Sequence, residues 1–289
     1  MKALGNNALQ VLKHPIDFLL QTLRGFQNNQ GALLAGAIAY YALLSIIPFL
    51  ILTVIALSHL VDQAGLLDTL GRYLEWLVPS QSAALMIDLS HFLDNRTAIG
   101  VVLLVTLVFF SSLAFSVLEK SMAVIFSHRR VIKKRNALIS VLLPYCVVFF
   151  LGAGLLILTL VSISLEAMAL TSVAFMQWHW SLGGLSTVLL YLLGLSAETI
   201  ILSAIYYVVP VGRTAWHHAV IGGFFTASLW EVIRHLLVWY FATFSRASVV
   251  YGSLTTAVVA LFSMEIIATL LLLGAQVISE YERLGESGE

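Results

Sequence analysis

Charge is what this chain has least of: Lys, Arg, Asp and Glu together make up 10% of its residues, against 60% hydrophobic. Soluble domains carry roughly 25% charged and 45–50% apolar residues. The scarcity is also local, since no charged residue falls between Arg24 and Asp62, and Thr255 to Gln276 holds only Glu265. A bilayer core needs about 20 consecutive apolar residues per spanning helix, and stretches of that length recur along the chain. A water-soluble fold is thereby excluded. Fifteen basic and 15 acidic residues cancel to a formal charge of zero, which gives no support to a nucleic-acid partner. Cysteine is almost missing as well. The single Cys146 lies in an apolar run, which excludes an intrachain disulfide and a cysteine metal cluster and leaves a small core residue. The N-terminus has Lys2 and Lys13 but no apolar core followed by a small-residue cleavage site, so the first span is expected to do the targeting.

What is present reads as an all-α membrane protein, a bundle of six transmembrane helices. The spans are expected at about Leu33 to Leu60, Ile99 to Ser121, Leu138 to Leu165, Leu185 to Val209, Ala215 to Thr243 and Leu254 to Ile278. Lys2, Lys13 and Arg24 precede the first span, and Lys120, Arg129, Arg130, Lys133, Lys134 and Arg135 cluster around the second connection. Those segments are expected on the cytoplasmic side, with both termini. Leu9, Leu12, Ile16, Leu19, Leu23 and Phe26 alternate at three- and four-residue spacing, which predicts an interfacial amphipathic helix within residues 1–30. In the long first outer loop, about 62–97, two shorter stripes predict a pair of amphipathic helices: Leu66, Leu70, Tyr73, Leu74 and Leu77, then Leu85, Leu89, Phe92 and Leu93. The transmembrane domain then covers 31–279, with a cytoplasmic tail at 280–289. Trp178, His179 and Trp180 fit an outer interfacial belt.

Charges inside spans are costly, about 2.5–3.5 kcal/mol each on insertion scales, so they should face protein or a water-filled cavity. Five residues qualify: Glu198 in span four, Glu231, Arg234 and His235 in span five, and Glu265 in span six. Spacings of three and four put Glu231, Arg234 and His235 on one helix face. If spans four and six pack there, three carboxylates meet one Arg, and at least one acid needs a proton or a cationic group. These five are the candidate substrate- or ion-binding residues; the alternative is an ion pair that only holds helices together. In span one, Pro48 removes the hydrogen bond to the Leu44 carbonyl, which makes Tyr40, Tyr41, Ser45 and Pro48 candidates for a kink or gate. Gly31, Ala32, Ala35, Gly36 and Ala39 read as a helix-packing seam. The basic loop lacks interleaved aromatics, so it reads as topogenic and as a contact for anionic lipid head groups through Arg129, Arg130, Lys133, Lys134 and Arg135, without nucleic acid. No metal pattern, cofactor fingerprint or hydrolase motif is visible, and enzyme status is disfavoured.

Ala39-Tyr40-Tyr41-Ala42-Leu43-Leu44-Ser45-Ile46-Ile47-Pro48, Tyr206-Tyr207-Val208-Val209-Pro210, Trp230-Glu231, Tyr251-Gly252-Ser253-Leu254 and Leu273-Gly274-Ala275-Gln276 together resemble the signature of the YihY/BrkB family of inner-membrane proteins. Phe262-Ser263-Met264 departs from the Trp usual in that family. The resemblance implies a bacterial inner-membrane location and envelope- or lipid-related transport rather than the ribonuclease activity once attached to the family. The expected function is therefore a transporter or lipid translocator working at the midplane cluster, with a proton as candidate coupling ion. A non-transporting envelope scaffold is the alternative and a membrane hydrolase the third reading; self-association is left open. A cysteine placed between Arg129 and Arg135 should react only with reagent from the cytoplasmic side, and one at Asp88 only from outside. The reverse pattern would overturn the orientation.

Overall fold

The computed structural model describes residues 11, 13–58, 67–72, 82–94, 96–129, 183–210, 212, 214–244 and 253–286. Among them all regular structure is helical: α1 (Pro15–Asn28), α2 (Gly31–Leu57), a short segment at 67–72, α3 (Ser82–Asp94), α4 (Arg96–Ile125), α5 (Gly183–Val208), α6 (Trp216–Phe244) and α7 (Ser253–Glu286). Among the described residues five helical stretches are long and apolar enough to cross a bilayer: Gly31–Leu57, Thr97–Ile125, Tyr191–Val208, Trp216–Tyr240 and Val258–Leu284. The expected span at Leu138 to Leu165, Cys146 and the Trp178 to Trp180 belt lie outside the described residues. Large apolar side chains such as Val102, Phe109, Ile200, Val238 and Trp239 point away from the protein. That pattern suits hydrocarbon as solvent and would be ruinous in water.

The chain divides into two compact units, 39–114 and the remainder, 1–38 with 115–289. In the smaller unit α2 continues helically through Pro48. Its hydroxyls are satisfied on their own helix: Ser45 Oγ donates to the Ala42 carbonyl at 2.8 Å and Thr53 Oγ1 to Phe49 at 2.8 Å. Of the two stripes expected in the outer loop, Leu66, Tyr73, Leu74 and Leu77 lie outside the described residues; residues 67–72 are helical, and in α3 Leu93 is buried and Leu89 half-buried while Ile87 and Asp88 are exposed.

In the larger unit, α5 and α6 form a close antiparallel pair against which α7 packs. Glycine makes the approach feasible. A Cβ on Gly223 would meet Ser203 Oγ and lie 2.8 Å from the Thr199 carbonyl oxygen and 2.9 Å from Ser203 N. A Cβ on Gly274 would strike Thr226 Oγ1 and the Tyr206 hydroxyl. Tyr206 is fully buried, donates its O–H to the Leu271 carbonyl at 2.8 Å and accepts from Thr226 Oγ1 at 2.9 Å, so one phenol joins three helices.

One end of this unit gathers segments that the charge pattern assigns to a common side. Helix α1 rests on α7 because Gly25 has no side chain: a Cβ there would collide with Gln276 Nε2 and approach Glu280 Oε1 to 2.7 Å. Asn29 Nδ2 donates to Gln276 Oε1 at 2.9 Å. Thr22 and Phe26 face the protein and Ile16, Leu19 and Leu23 face away, leaving an apolar stripe for the bilayer surface. Gln30 takes the turn into α2 at φ 54°, uncommon for a residue with a side chain. Nearby, Arg129 grips Glu282 with a two-pronged pair, Nε to Oε2 at 2.8 Å and Nη2 to Oε1 at 2.6 Å, and its Nη1 reaches Thr214 Oγ1 at 3.1 Å. The guanidinium also stacks 4.0 Å from the Phe126 ring centre. Burial, reinforced by the charge of Arg283, holds His128 below the ordinary imidazole range. A neutral His128 leaves Arg129 as the main counter-charge to Glu282. Helix α7 therefore runs well into the expected 280–289 tail, with Tyr281 buried and Glu282 in use.

Two substitutions test this packing by thermal melting. Arg129→Ala leaves the Glu282 carboxylate, only 14% exposed, with the His128 and His218 imidazoles as its remaining neighbours, at 3.4 and 3.3 Å, and should cost up to about 3–5 kcal/mol. Gly223→Ala forces backbone apart and should cost about 1–3 kcal/mol. Unchanged midpoints for both would contradict the packing described.

Candidate functional site

Helix α6 presents Glu231, Arg234 and His235 on one face, as their spacing requires. Arg234 Nη2 donates to Glu231 Oε2 at 2.6 Å. The pair is asymmetric, the acid 12% exposed and the arginine 47%, so Glu231 is held inside while Arg234 reaches outward. His235 is 75% exposed; its Nδ1 carries the hydrogen that it gives to the Glu231 carbonyl at 2.7 Å, and it stands 4.0 Å from Glu231 Oε2. From α5, Glu198 lies within Coulombic reach of both Glu231 and Arg234. The helices thus bring together four of the five residues singled out in the spans, with His235 at the edge.

Glu265 stands apart. Its side chain is exposed and turned toward Gly36, where an added Cβ would be 3.9 Å from Oε1. No ion pair or hydrogen bond is found between it and the other four. The charge count at the site is therefore two acids against one Arg. The gate candidates belong to the smaller unit: Tyr40 and Tyr41 pack edge to face with ring centres 5.2 Å apart, Tyr40 and Ile47 are exposed, and Pro48 is buried.

The feature that sequence reading did not reach is a cavity of about 290 Å³ between α5, α6 and α7. Glu198, Ile205, Thr226, Trp230, Ile267 and Leu271 are among its walls. Oε2 of Glu198 is buried and has no hydrogen-bond partner among the described residues. Native proteins rarely leave a buried polar atom in that state, because the lost hydration is not returned. Below the acid, Thr226 and Leu271 are the same residues that hold the Tyr206 hydroxyl, so the junction of three helices forms the cavity's lower wall. At about 1.5 Å per residue, Glu198 is roughly 16 Å along α5 from Val209 and Ile267 roughly 22 Å along α7 from Glu282, well inside apolar helices long enough to span a bilayer. Only Trp230 and Glu198 were visible beforehand. The remaining walls are Ile, Leu and Thr in runs that are apolar on every face, so no periodicity distinguishes the cavity side from the lipid side.

Basic residues behave differently from a free lipid-binding row in one respect. The guanidinium of Arg129 is turned inward to Glu282 and Thr214, and Arg130, Lys133, Lys134 and Arg135 lie outside the described residues.

Comparison with known proteins places these motifs. The family model described as Virulence factor BrkB matches residues 22–288. A UPF0761 membrane protein of Azotobacter vinelandii is 28% identical across 91% of this chain and 62% of its own length. One from Photobacterium profundum is 26% identical across 93% of this chain and 82% of its own, and one from Haemophilus influenzae 23% identical across 94% and 98%. The chain spans only 62%, 58% and 54% of the first three relatives it matches. No solved structure matches it. Apolar helices at membrane length, the shared motifs and a match over nearly the whole chain make this a multi-pass membrane protein belonging to the bacterial Virulence factor BrkB family.

Proposed function

We propose that the protein is a translocator of a lipid or other envelope component in the bacterial inner membrane, with both termini cytoplasmic and the Glu198 cavity as its binding place. The observation that supports this reading is an apolar cavity between α5, α6 and α7 with a buried carboxylate oxygen, unpartnered among the described residues, in its wall. A scaffold has no use for such a space. It gains stability by pairing the acid, since an orphaned buried polar group destabilises. A binding site keeps such a group and lets a ligand or a proton supply what is missing. An enzyme needs a nucleophile or metal beside the acid, and among the described residues the cavity walls contribute only apolar side chains, Thr226 and Trp230 besides Glu198.

Glu231 and Arg234 serve as a charge pair beside the cavity, and a proton on Glu198 is the simplest coupling ion. Anionic head groups are bound by Arg130, Lys133, Lys134 and Arg135 rather than by Arg129, which is committed to Glu282. Neither a nucleic acid nor a cofactor is part of this reading, and the bundle works alone or as a homo-oligomer.

Proteoliposomes that contain an acyl-chain-labelled fluorescent phospholipid test it. Wild-type protein should speed the exposure of inner-leaflet label to a membrane-impermeant quencher, and Glu198→Gln, which keeps shape but loses the acid, should slow that exposure about tenfold or more with little change in melting. Equal exposure rates in protein-containing and empty liposomes would remove the transport reading.

A further inference from the structure

Resting on that reading, we propose that the Glu198 cavity receives the N–H-bearing ammonium end of an amphiphile, with Glu198 as its counter-ion. Four properties of the cavity lead there. First, Oε2 of Glu198 is buried and has no hydrogen-bond donor among the described residues, and an N–H-bearing occupant supplies one. A quaternary ammonium carries charge but no N–H, and it would look for an aromatic cage where the cavity offers a single ring, Trp230.

Second, the described walls hold no Lys or Arg, and an anionic group inside would face Glu198 directly. Third, magnesium or calcium wants six or more oxygens and zinc about four N, S or O ligands, whereas the described walls offer only the Glu198 carboxylate and a Thr226 hydroxyl already hydrogen-bonded to Tyr206. Fourth, a proton alone would satisfy the acid without needing any space, yet about 290 Å³ of mainly apolar volume lies against it. That volume is at the small end for ligand pockets, so it accommodates a head and the first part of an apolar body rather than a whole lipid. Ile267, 42% exposed at the cavity wall, gives the apolar body a way out to hydrocarbon. Arg234, half exposed beside the acids, is placed to meet a phosphate if the amphiphile has one.

Two sources share this chemistry: a phospholipid with a primary-amine head group and a free long-chain amine. Native mass spectrometry of the full chain released from detergent separates them, with dodecylamine, dodecyltrimethylammonium and dodecanol as one probe series and phosphatidylethanolamine and phosphatidylcholine of identical chains as the other. The expected result is that the N–H-bearing member of at least one series binds about tenfold or more tightly than its methylated counterpart, and that the preference disappears in Glu198→Gln. Preference confined to the lipid pair names the lipid as the source; preference confined to dodecylamine names the free amine. Equal binding of methylated and unmethylated probes by wild type overturns the proposal, as does a preference that survives in a folded Glu198→Gln. Should that variant fail to fold, the wild-type comparison decides alone. Label exposure in proteoliposomes without a head-group preference would sink this inference and spare translocation; the converse would spare the site and sink translocation.

Discussion

The larger unit depends on one close approach, the Tyr206 hydroxyl lodged against Gly274. In hydrocarbon there is no hydrophobic force between helices, so association has to come from contact and from hydrogen bonds across the interface. Here both are concentrated at one point. Tyr206 is fully buried, bonded to Thr226 and to the Leu271 carbonyl, and any side chain at residue 274 would displace it. Gly222 and Gly223 allow the same closeness along α6, against Ile278 and the α5 backbone. Above this junction the helices carry larger residues and a gap opens, with Glu198 at its wall. The tight seam and the cavity are thus two consequences of one arrangement of small and large residues.

A second anchor lies at the end of the bundle where Arg129, Glu282, Thr214 and the α1–α7 contact gather. It joins the chain just after α4, the entry to α6 and the end of α7, segments far apart in sequence. This end is closely packed, while the pocket beside Glu198 lies further along the helices, a division that the proposed translocation would use. The charges obey the same division: the fully engaged pair, Arg129 with Glu282, sits at the anchored end, and the half-exposed one, Glu231 with Arg234, beside the cavity.

The membrane class and the described spans were legible because a charge-free run of about 20 apolar residues suits little besides a hydrocarbon core. So was the shared face of Glu231, Arg234 and His235, which follows from helical spacing alone. Glu265 shows where such reasoning stops: residues on different helices meet only if the helices are rotated to suit, and rotation is not encoded by composition in an all-apolar span. Tyr206 was read as part of a motif without its role, since a tyrosine in an apolar run looks the same at a helix junction as at a lipid interface. Glu282 escaped because charged residues at the end of a last span resemble a solvated tail, and only the fold brings Arg129 to it. The role of Gly274 likewise depends on what stands opposite.

If the proposed function holds, the space beside Glu198 is an occupied binding site in the membrane. An electron cryomicroscopy map of the protein in nanodiscs made from an amine-headed phospholipid tests it directly. The account calls for elongated density running from within hydrogen-bond distance of Glu198 past Trp230 and Ile267 into the surrounding lipid. A cavity closed by its own side chains, with the Glu198 carboxylate paired to another residue of the chain, would contradict it.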